Sequence, residues 1–285
     1  MQQKTRAFLK WAGGKYSLVE DIAKRLQAAS TEADTLVEPF VGAGSVFLNT
    51  HFKHYILNDI NADLINLYNE LKRTPDEFVS DAKRLFVELN NHPDAYYAYR
   101  KQFNESIDIY ERAILFLYMN RHGYNGLCRY NLKGIFNVPF GKYKKPYFPE
   151  RELYVFAEKA QSATFTCQSY SEVFNAIPDN AVVYCDPPYV PLSKTASFTS
   201  YAKGGFDLDD QARLANLAEL TAFERQTPVL ISNHDTVWTR KIYNQAKLDV
   251  IKVKRTISPK GNGRNKVGEL MAMYHRPKAK LTLPR

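Results

Sequence analysis

A short apolar run that is followed by an acid and two prolines most restricts the folds that this chain can adopt. Residues 182–185 read Val-Val-Tyr-Cys, and Asp186-Pro187-Pro188-Tyr189 follows directly. An apolar run of β-favouring residues indicates a strand buried on both faces, and the prolines end it. In open α/β sheets, ligands bind just beyond the carboxyl ends of such strands. The sequence therefore predicts a functional site at Asp186, although a turn that merely ends the strand could also contain these residues.

Length and composition favour an ordinary globular protein with one large core, or with one core and an inserted module. The chain has 285 residues, of which 45% are hydrophobic and 24% charged, as in typical globular domains. No apolar run approaches the roughly 18 residues of a membrane span, and no signal-peptide core follows Met1, so we expect a cytoplasmic protein without a membrane partner. We also expect a monomer in solution. The three cysteines contain no Cys-x-x-Cys pair, which indicates neither disulfides nor a metal site.

A glycine turn near the amino terminus indicates a nucleotide-binding βα unit. A short strand leads into Phe40-Val41-Gly42-Ala43-Gly44, after which a helix is predicted to begin. The next predicted strand ends in Asp59, 17 residues after Gly42. A carboxylate at that position can accept hydrogen bonds from both ribose hydroxyls of a nucleotide. Phe47 replaces the third glycine of the dinucleotide fingerprint, which disfavours a nicotinamide cofactor.

The alternation of strands and helices is then interrupted by a block of helices. Hydrophobic spacing predicts them over residues 61–72, 74–89, 93–104 and 109–121. The second would begin with a capping box at residues 74–77, with a proline at its first helical position. Four consecutive helices inside an α/β chain predict an inserted module.

The segment 123–148 combines positive charge with aromatic side chains. It contains five lysines or arginines, seven aromatic residues and no acid. Its glycines exclude a long helix, and Lys133-Gly134 can turn a hairpin. Basic side chains neutralise phosphates, and arginine and aromatic side chains can enter a groove or stack on bases. Together with the net charge of +9, this favours a nucleic-acid partner over a plain basic surface loop.

Strands and helices alternate again after the basic segment. The patterns predict five further strands, over residues 163–167, 182–185, 228–232, 248–256 and 267–274. The last two would form a hairpin, which brings the total to seven strands. Helices are predicted at 150–161, near Ser171, and at 208–225 and 236–246. A second acid-free basic stretch lies between Asp249 and Glu269.

Together these motifs resemble those of class I S-adenosylmethionine-dependent methyltransferases. Their order, with an insertion before Asp-Pro-Pro-Tyr, resembles the alpha group of amino-methylating DNA enzymes. Four segments are similar to bacterial Dam-type DNA adenine methyltransferases, namely residues 8–15, 38–47, 123–131 and 231–235. The similarity covers most of the chain, and the basic tail after Arg276 matches nothing in it.

The resemblance implies an α/β fold, a Rossmann-like seven-stranded class I methyltransferase sheet with an inserted helical module and a basic hairpin. The catalytic domain would comprise residues 1–61 and 149–285, and the target-recognition domain residues 62–148 with the hairpin at 123–144. The implied activity is site-specific methylation of an adenine amine in double-stranded DNA, within GATC. S-adenosyl-L-methionine is the implied methyl donor, and no metal is implied.

The resemblance also assigns roles to individual residues. The cofactor would be bound by Trp11, Lys15, Glu38, Pro39, Phe40, Gly42, Gly44, Asp59 and Asp186. Catalysis would rest on Asp186, Pro187 and Tyr189. DNA would be bound by Lys10, Tyr124, Asn125, Leu127, Arg129, Asn131, Pro139, Lys142 and Lys144. In that family Arg129 would read a guanine, Leu127 and Pro139 would touch neighbouring bases, and Tyr124 would intercalate. Lys142 stands where relatives can carry Arg, so the phosphate contact there can differ in detail.

The chemistry of the tetrapeptide agrees with this assignment. The exocyclic amine of adenine is a poor nucleophile because its lone pair is delocalised into the ring. The carboxylate of Asp186 and the carbonyl of Pro187 can accept its two N–H groups and stabilise the positive charge that develops on the nitrogen. The base must leave the duplex to reach them, and Tyr189 offers a ring for it to stack on.

Other interpretations stay open at this point. The first is a non-catalytic DNA binder built on a degenerate methyltransferase, against which stand the intact Gly42, Gly44, Asp59, Asp186 and Tyr189. The second is methylation of RNA or of a protein amide, and Arg129 in the hairpin favours duplex DNA instead. His234 and Asp235 could act as an acid–base pair, although a structural histidine at a strand end is the commoner case.

Overall fold

The computed structural model describes residues 4–189, 206–253 and 267–275. They form a mixed sheet of seven strands in the order β3-β2-β1-β4-β5-β7-β6. The strands are β1 (Thr35–Glu38), β2 (His54–Asn58), β3 (Ala163–Thr166), β4 (Ala181–Cys185), β5 (Val229–His234), β6 (Lys247–Val253) and β7 (Val267–Tyr274). This confirms the predicted α/β fold of the class I methyltransferase type, including a final hairpin of β6 and β7.

Helices occupy the connections between the strands. In chain order they are α1 (Val19–Ala29), α2 (Ser45–Leu48), α3 (Ala62–Arg73), α4 (Pro75–Arg84), α5 (Pro93–Glu105), α6 (Ile109–His122), α7 (Glu150–Ala160), α8 (Tyr170–Asn175), α9 (Leu208–Phe223) and α10 (Val237–Ile242). The consecutive helices α3 to α6 agree with the predicted helical block.

Strand pairing explains the apolar run at residues 182–185. Strand β4 pairs in parallel with β1 on one side and with β5 on the other. All five residues of β4 are buried, because a strand inside a parallel sheet is covered on both faces. The strand order reverses between β1 and β4, and such switch points are where open α/β sheets bind ligands.

The chain divides into two compact units. The first comprises residues 1–24 and 38–170, and the second residues 25–37 and 171–285. Phe156 lies in an aromatic core of the first unit, with its ring centroid 5.0 Å from that of Phe8 and 4.6 Å from that of Tyr68. In the second unit three tyrosines are buried: Tyr184 of β4, Tyr243 directly after α10, and Tyr274 of β7. The predicted module over residues 62–148 lies inside the first unit and stays a prediction as a separate domain.

The basic hairpin is anchored to the helical block through the ion pair of a buried acid, Asp63, with the half-buried Arg112. Arg112 on α6 donates to Asp63 on α3 through Nε at 3.0 Å and through an Nη at 2.7 Å. The hydroxyl of Tyr130, in the hairpin, donates to the other carboxylate oxygen of Asp63 at 2.6 Å. A buried acid with both oxygens occupied is well compensated for its lost hydration, so this cluster anchors the hairpin close to its tip.

Two predicted helix boundaries are wrong for local reasons. Helix α4 ends at Arg84, five residues before the predicted end, because the Asn90 side chain donates to the terminal carbonyl of Leu85 and turns the chain away. The predicted capping box is also absent, since Thr74 makes no side-chain cap. Helix α10 ends at Ile242 rather than residue 246, because the next residue, Tyr243, turns its ring into the core.

Candidate active site

The glycine turn after β1 is packed tightly against Trp11. Gly42 and Gly44 both have positive φ, at 47° and 70°. A Cβ on Gly42 would lie only 2.8 Å from Nε1 of Trp11, so any larger residue would displace the indole. The turn therefore needs glycine for its backbone conformation and for its approach to Trp11.

Asp59, at the end of β2, holds the same turn. Its Oδ2 accepts the N–H of Gly42 at 3.1 Å, and its Oδ1 accepts the N–H of Asn61 at 3.0 Å. Tyr68 adds a bond from its hydroxyl to the carbonyl of Gly42 at 2.5 Å. Burial raises the pKa of Asp59, while the backbone N–H bonds act to lower it. The backbone N–H of Ile60 is a third donor to this carboxylate, and a carboxylate has about four acceptor sites, so Asp59 can accept a further hydrogen bond from a ligand.

A buried asparagine ties three strand ends together beside Asp59. The Nδ2 of Asn58 donates to the carbonyls of Pro39 and Gln168, both at 3.0 Å. Its Oδ1 accepts the Thr166 hydroxyl at 2.9 Å and the N–H of Gln168 at 3.0 Å. The ends of β1, β2 and β3 are thereby fixed relative to one another. The sequence analysis missed Asn58, whose signal was a polar residue at the end of an otherwise apolar strand.

The other residues assigned to the cofactor lie in the same unit, apart from Asp186. Lys15 is buried and donates through Nζ to the carbonyl of Gly13 at 2.7 Å. Glu38 is buried at the end of β1. The ring of Phe40 stacks on that of Tyr170, with centroids 5.6 Å apart and planes at 28°. Glu38 and Phe40 thus precede the glycine turn in the chain, and Trp11 packs on the turn itself.

The second unit carries the tetrapeptide at the end of β4. Oδ1 of Asp186 accepts a hydrogen bond from the Ser232 hydroxyl at 3.1 Å. The same hydroxyl lies 2.9 Å from the hydroxyl of Tyr184. Asp186 is half-buried and Pro187 is buried. The side chain of Asp186 is therefore oriented by a residue that the sequence analysis did not single out.

The Tyr189 side chain is fixed at its hydroxyl and at its ring. The hydroxyl donates to the carboxylate of Glu269 on β7. The ring lies edge-on to that of His234, with centroids 4.8 Å apart and planes at 78°. Burial raises the pKa of Tyr189 well above its usual value, and the negative charge of Asp186 adds to the effect. Glu269 lies opposite His234 in the β5–β7 ladder.

His234 and Asp235 each contact a different side chain. Asp235 forms an ion pair with Arg240, with oxygen–nitrogen distances of 2.6 and 3.0 Å, and His234 packs on Tyr189. Cys185 is buried at the end of β4. Residues 190–205, the part of the second basic stretch from 254 to 266 and the tail after Arg276 lie outside the described residues.

The basic hairpin turns back at Gly134, as its sequence predicts. It is held by isolated bridges between Gly123 and Phe140 and between Tyr130 and Phe136. The tip is closed by Asn131, whose Oδ1 accepts the N–H groups of Lys133 at 2.9 Å and of residue 135 at 3.0 Å. The side chain of Asn131 thus shapes the turn, a contact that the sequence analysis did not anticipate.

Most of the residues assigned to DNA lie on the surface of the first unit. Lys10 and Leu127 are half-buried; the exposed ones are Tyr124, Asn125, Arg129, Asn131, Pro139, Lys142 and Lys144. The guanidinium of Arg129 is held across the hairpin by Asn137, through Nε to Oδ1 at 2.8 Å and through an Nη to the carbonyl at 3.3 Å. The fork is thereby ordered on the surface rather than spread over many rotamers.

Lys10 is joined to this surface by Asn120 of α6. The Asn120 Oδ1 accepts the N–H of Lys10 at 2.9 Å, and its Nδ2 donates to the Lys10 carbonyl at 2.7 Å. The same Nδ2 lies 3.1 Å from the carbonyl of Gly126. The Lys10 ammonium lies 3.6 Å from the centre of the Tyr143 ring. Burial lowers the pKa of Lys10 to about 8, and the nearby charge of Arg121 contributes.

The sequence of the chain can be compared with those of known proteins. A family model described as "D12 class N6 adenine-specific DNA methyltransferase" matches residues 11–257. The chain belongs to this family. It is therefore an adenine-specific DNA methyltransferase, which confirms the resemblance drawn from the motifs.

Full-length relatives agree with the family. The chain is 64% identical over 272 residues to the DNA adenine methylase of Vibrio cholerae, covering 95% of this chain and 97% of that one. It is 60% identical to the DNA adenine methylase of Escherichia coli K12, covering 95% and 96%. The DNA adenine methylase of Serratia marcescens is 58% identical, covering 95% and 99%.

Two further findings concern metals and membranes. Across residues 4–189, 206–253 and 267–275, no group of three or more His, Cys, Asp or Glu side chains is arranged to hold a metal ion. In that same part of the chain, no helix has both the length and the apolar character needed to cross a lipid bilayer.

Proposed function

We propose that this methyltransferase transfers the methyl group of S-adenosylmethionine to the exocyclic amine of an adenine that is flipped out of duplex DNA, within GATC. The observation that carries the proposal is Asp186 at the end of the buried strand β4, oriented by Ser232 at 3.1 Å and followed by a carbonyl acceptor at Pro187. An acid and a carbonyl side by side suit an amine with two N–H groups.

The first unit fits the cofactor. S-adenosylmethionine, when bound, supplies an electrophilic methyl group on a sulfonium. Asp59 lies at the end of the second strand, with an acceptor site left for a ribose hydroxyl. The turn from Glu38 to Gly44, whose glycines let the backbone come close to a ligand, would surround the amino-acid end. Trp11 and Lys15 would also contact the cofactor.

The second unit would hold the amine. Asp186 Oδ2 and the Pro187 carbonyl would accept its two N–H groups, which stabilises the charge that grows on nitrogen as the methyl group arrives. Within the described residues, no hydrogen bond to the Pro187 carbonyl is present. Tyr189 would stack on the flipped base, a role that its fixed ring favours.

The hairpin would read the target. Arg129 presents a fork that matches the O6 and N7 acceptors of guanine in the major groove. Leu127 and Pro139 would contact neighbouring bases, and Tyr124, which is half-exposed at 51%, would intercalate. Lys142 and Lys144 would contact phosphates. The identity of 64% with a DNA adenine methylase over nearly the whole chain supports double-stranded DNA over RNA or a protein amide.

A plasmid assay tests the proposal. Plasmid DNA without adenine methylation is incubated with the purified protein and S-adenosylmethionine. It is then digested with nucleases that differ in their sensitivity to methyladenine within GATC. We expect GATC sites to become protected, while duplexes changed at one base of GATC are modified far more slowly. Equal methylation of adenines outside GATC would overturn the assigned target, and no methylation at all would overturn the whole proposal.

The catalytic assignment has its own test. Asp186→Ala should lower the single-turnover rate at least about a hundredfold, as expected when an electrostatic contact to the transition state is removed. Asp186→Asn, which keeps one acceptor oxygen, should be milder. Both variants should retain cognate DNA binding, measured with a labelled duplex. An Ala variant within about threefold of the wild-type rate, which is well under 1.4 kcal/mol of barrier, contradicts the role.

A further inference from the structure

The end of strand β5 runs alongside the catalytic tetrapeptide. Cys185 of β4 lies opposite Ile231 of β5 in the parallel ladder. One residue further along each strand, the Ser232 hydroxyl donates to Asp186. At the far end of the tetrapeptide, the His234 ring meets the edge of the Tyr189 ring. The segment from residue 231 to 235, of which the proposed function uses Ser232 alone, therefore follows the tetrapeptide along its length.

Asn233 reaches the same tetrapeptide through Gln211 of α9. The Nε2 of Gln211 donates to the carbonyl of Pro188 at 2.5 Å. The Oε1 of Gln211 accepts from Nδ2 of Asn233 at 2.9 Å and from the hydroxyl of Tyr243 at 3.2 Å. Two donors on the oxygen leave the amide nitrogen of Gln211 for the Pro188 carbonyl, so the orientation of the amide is determined.

Consecutive prolines explain why such contacts are needed. Pro187 and Pro188 have no backbone N–H, so a strand ladder cannot hold this part of the chain. Only carbonyl groups and side chains are left to form hydrogen bonds that hold this part of the chain. Ser232 uses the side chain before the prolines, and Gln211 uses the carbonyl of the second one. The tetrapeptide is thereby held on both sides of the Pro187 carbonyl.

The three polar side chains are among the most buried of the second unit. Ser232 and Asn233 have no exposed surface, and Gln211 is 2% exposed. Burying polar groups is costly unless they are hydrogen-bonded, and an apolar side chain would fill the same volume at lower cost. Here the polar atoms point at the tetrapeptide itself or at the residue that holds it.

We propose that Ser232, Asn233 and Gln211 are positioning residues for methyl transfer. They fix the Asp186 carboxylate and the Pro188 carbonyl, so that Asp186 Oδ2 and the Pro187 carbonyl meet both N–H groups of the substrate amine at once. This inference rests on the proposed function. It predicts that loss of these contacts slows the chemical step and leaves the binding of cofactor and DNA nearly unchanged, because misorientation at the reacting centre affects the transition state most.

The test compares the single-turnover rate with the two binding constants in matched variants. Ser232→Ala and Gln211→Met should each lower the rate at least about tenfold, with dissociation constants for S-adenosylmethionine and for a GATC duplex within about twofold of wild type. Ser232→Thr, which keeps the hydroxyl, should recover most of the rate. The control is Thr50→Val, which removes a buried hydroxyl bond at 3.0 Å to Val46 in the first unit, far in sequence from the tetrapeptide, and should keep the wild-type rate.

The outcomes separate the inference from the function on which it rests. Wild-type protein that does not methylate refutes the proposed function. If the wild type is active and the Ser232→Ala and Gln211→Met variants both keep the full rate, only the positioning role is overturned. Rates and affinities that fall together, in step with the melting temperature and equally in Thr50→Val, also overturn it, because they show a general loss of stability. Should Gln211→Met not fold, Ser232→Ala, which removes one oxygen atom, decides the question.

Discussion

Gly126 and Lys10 share a space that has no room for one more carbon atom. A Cβ on Gly126 would lie 2.2 Å from the Cβ of Lys10, and Gly126 has a φ of +64°. Lys10, to which the resemblance assigns a DNA contact, is thus packed directly against the start of the hairpin. Asn120 strengthens the pairing, because it bonds to the backbone of both residues.

Gly126→Ala should therefore be more harmful than its backbone conformation alone explains. We expect a loss of stability of about 2–4 kcal/mol from the left-handed backbone and the overpacking against Lys10, together with weaker DNA binding. Gly134→Ala is the matched control, since Gly134 has a φ of +73° and nothing within 4 Å of an added Cβ; it should lose only about 1–2 kcal/mol. Denaturant unfolding and duplex binding measure both variants, and equal losses would contradict the steric argument.

DNA binding should take up protons near pH 8. The pKa of Lys10 lies at about 8 because of burial and the charge of Arg121, and nearby phosphates favour its charged form, so binding raises that pKa. Affinity should then fall as the pH rises through 8. Lys10→Arg, which stays charged, should remove this dependence. Calorimetry in buffers of different ionisation enthalpy counts the protons, and the same uptake by both proteins would exclude Lys10 as the source.

Asp59→Ala should weaken the binding of S-adenosylmethionine by about 1.5–3 kcal/mol, as for the loss of hydrogen bonds to a charged group. The variant also removes the acceptor that holds the N–H of Gly42. Calorimetric titration with the cofactor gives the dissociation constant, and DNA affinity without cofactor should change little. Asp94→Ala, which removes a carboxylate that is 94% exposed, serves as the control. An unchanged constant in Asp59→Ala would place the cofactor elsewhere.

Arg129→Ala should relax discrimination at one base pair. If the fork reads a guanine, the variant loses roughly 1–3 kcal/mol of discrimination there, and near-cognate sites become comparatively better substrates. Lys145→Ala, which removes an exposed charge directly after the same hairpin, should slow methylation equally on all sequences. The measurement is the ratio of rates on GATC and on singly substituted duplexes. A ratio that Arg129→Ala leaves unchanged at every position would show a phosphate contact instead.

Much of the fold could be predicted because hydrophobic spacing and turn residues are local signals. The bounds of β7 are as expected, and the glycine turn, the acid at the end of β2 and the proline stop after β4 all lie at strand ends. The end of α4 was not predicted, because it depends on a contact between Asn90 and Leu85 rather than on helix propensity. Tertiary contacts of this kind leave no periodic pattern.

The site was predictable only where a motif carries it. Asp186 and Asp59 stand in recognisable sequence surroundings, whereas Gln211 lies on an ordinary amphipathic helix and is 23 residues away from the carbonyl that it binds. Glu269, similarly, is separated from Tyr189 by 80 residues. Sheet pairing and helix packing bring such partners together, so they can be identified only in the folded chain.

The ion pair of Asp63 and Arg112, with the hydroxyl of Tyr130 on its second oxygen, has a consequence for how the target sequence of such an enzyme can change. A hairpin that is already anchored close to its tip does not have to be ordered when DNA binds, so less contact energy is lost to entropy. The exposed side chains of the hairpin can then be exchanged while its backbone stays in place. New target preferences can arise by exchanging those side chains one at a time, without rebuilding the fold that carries them.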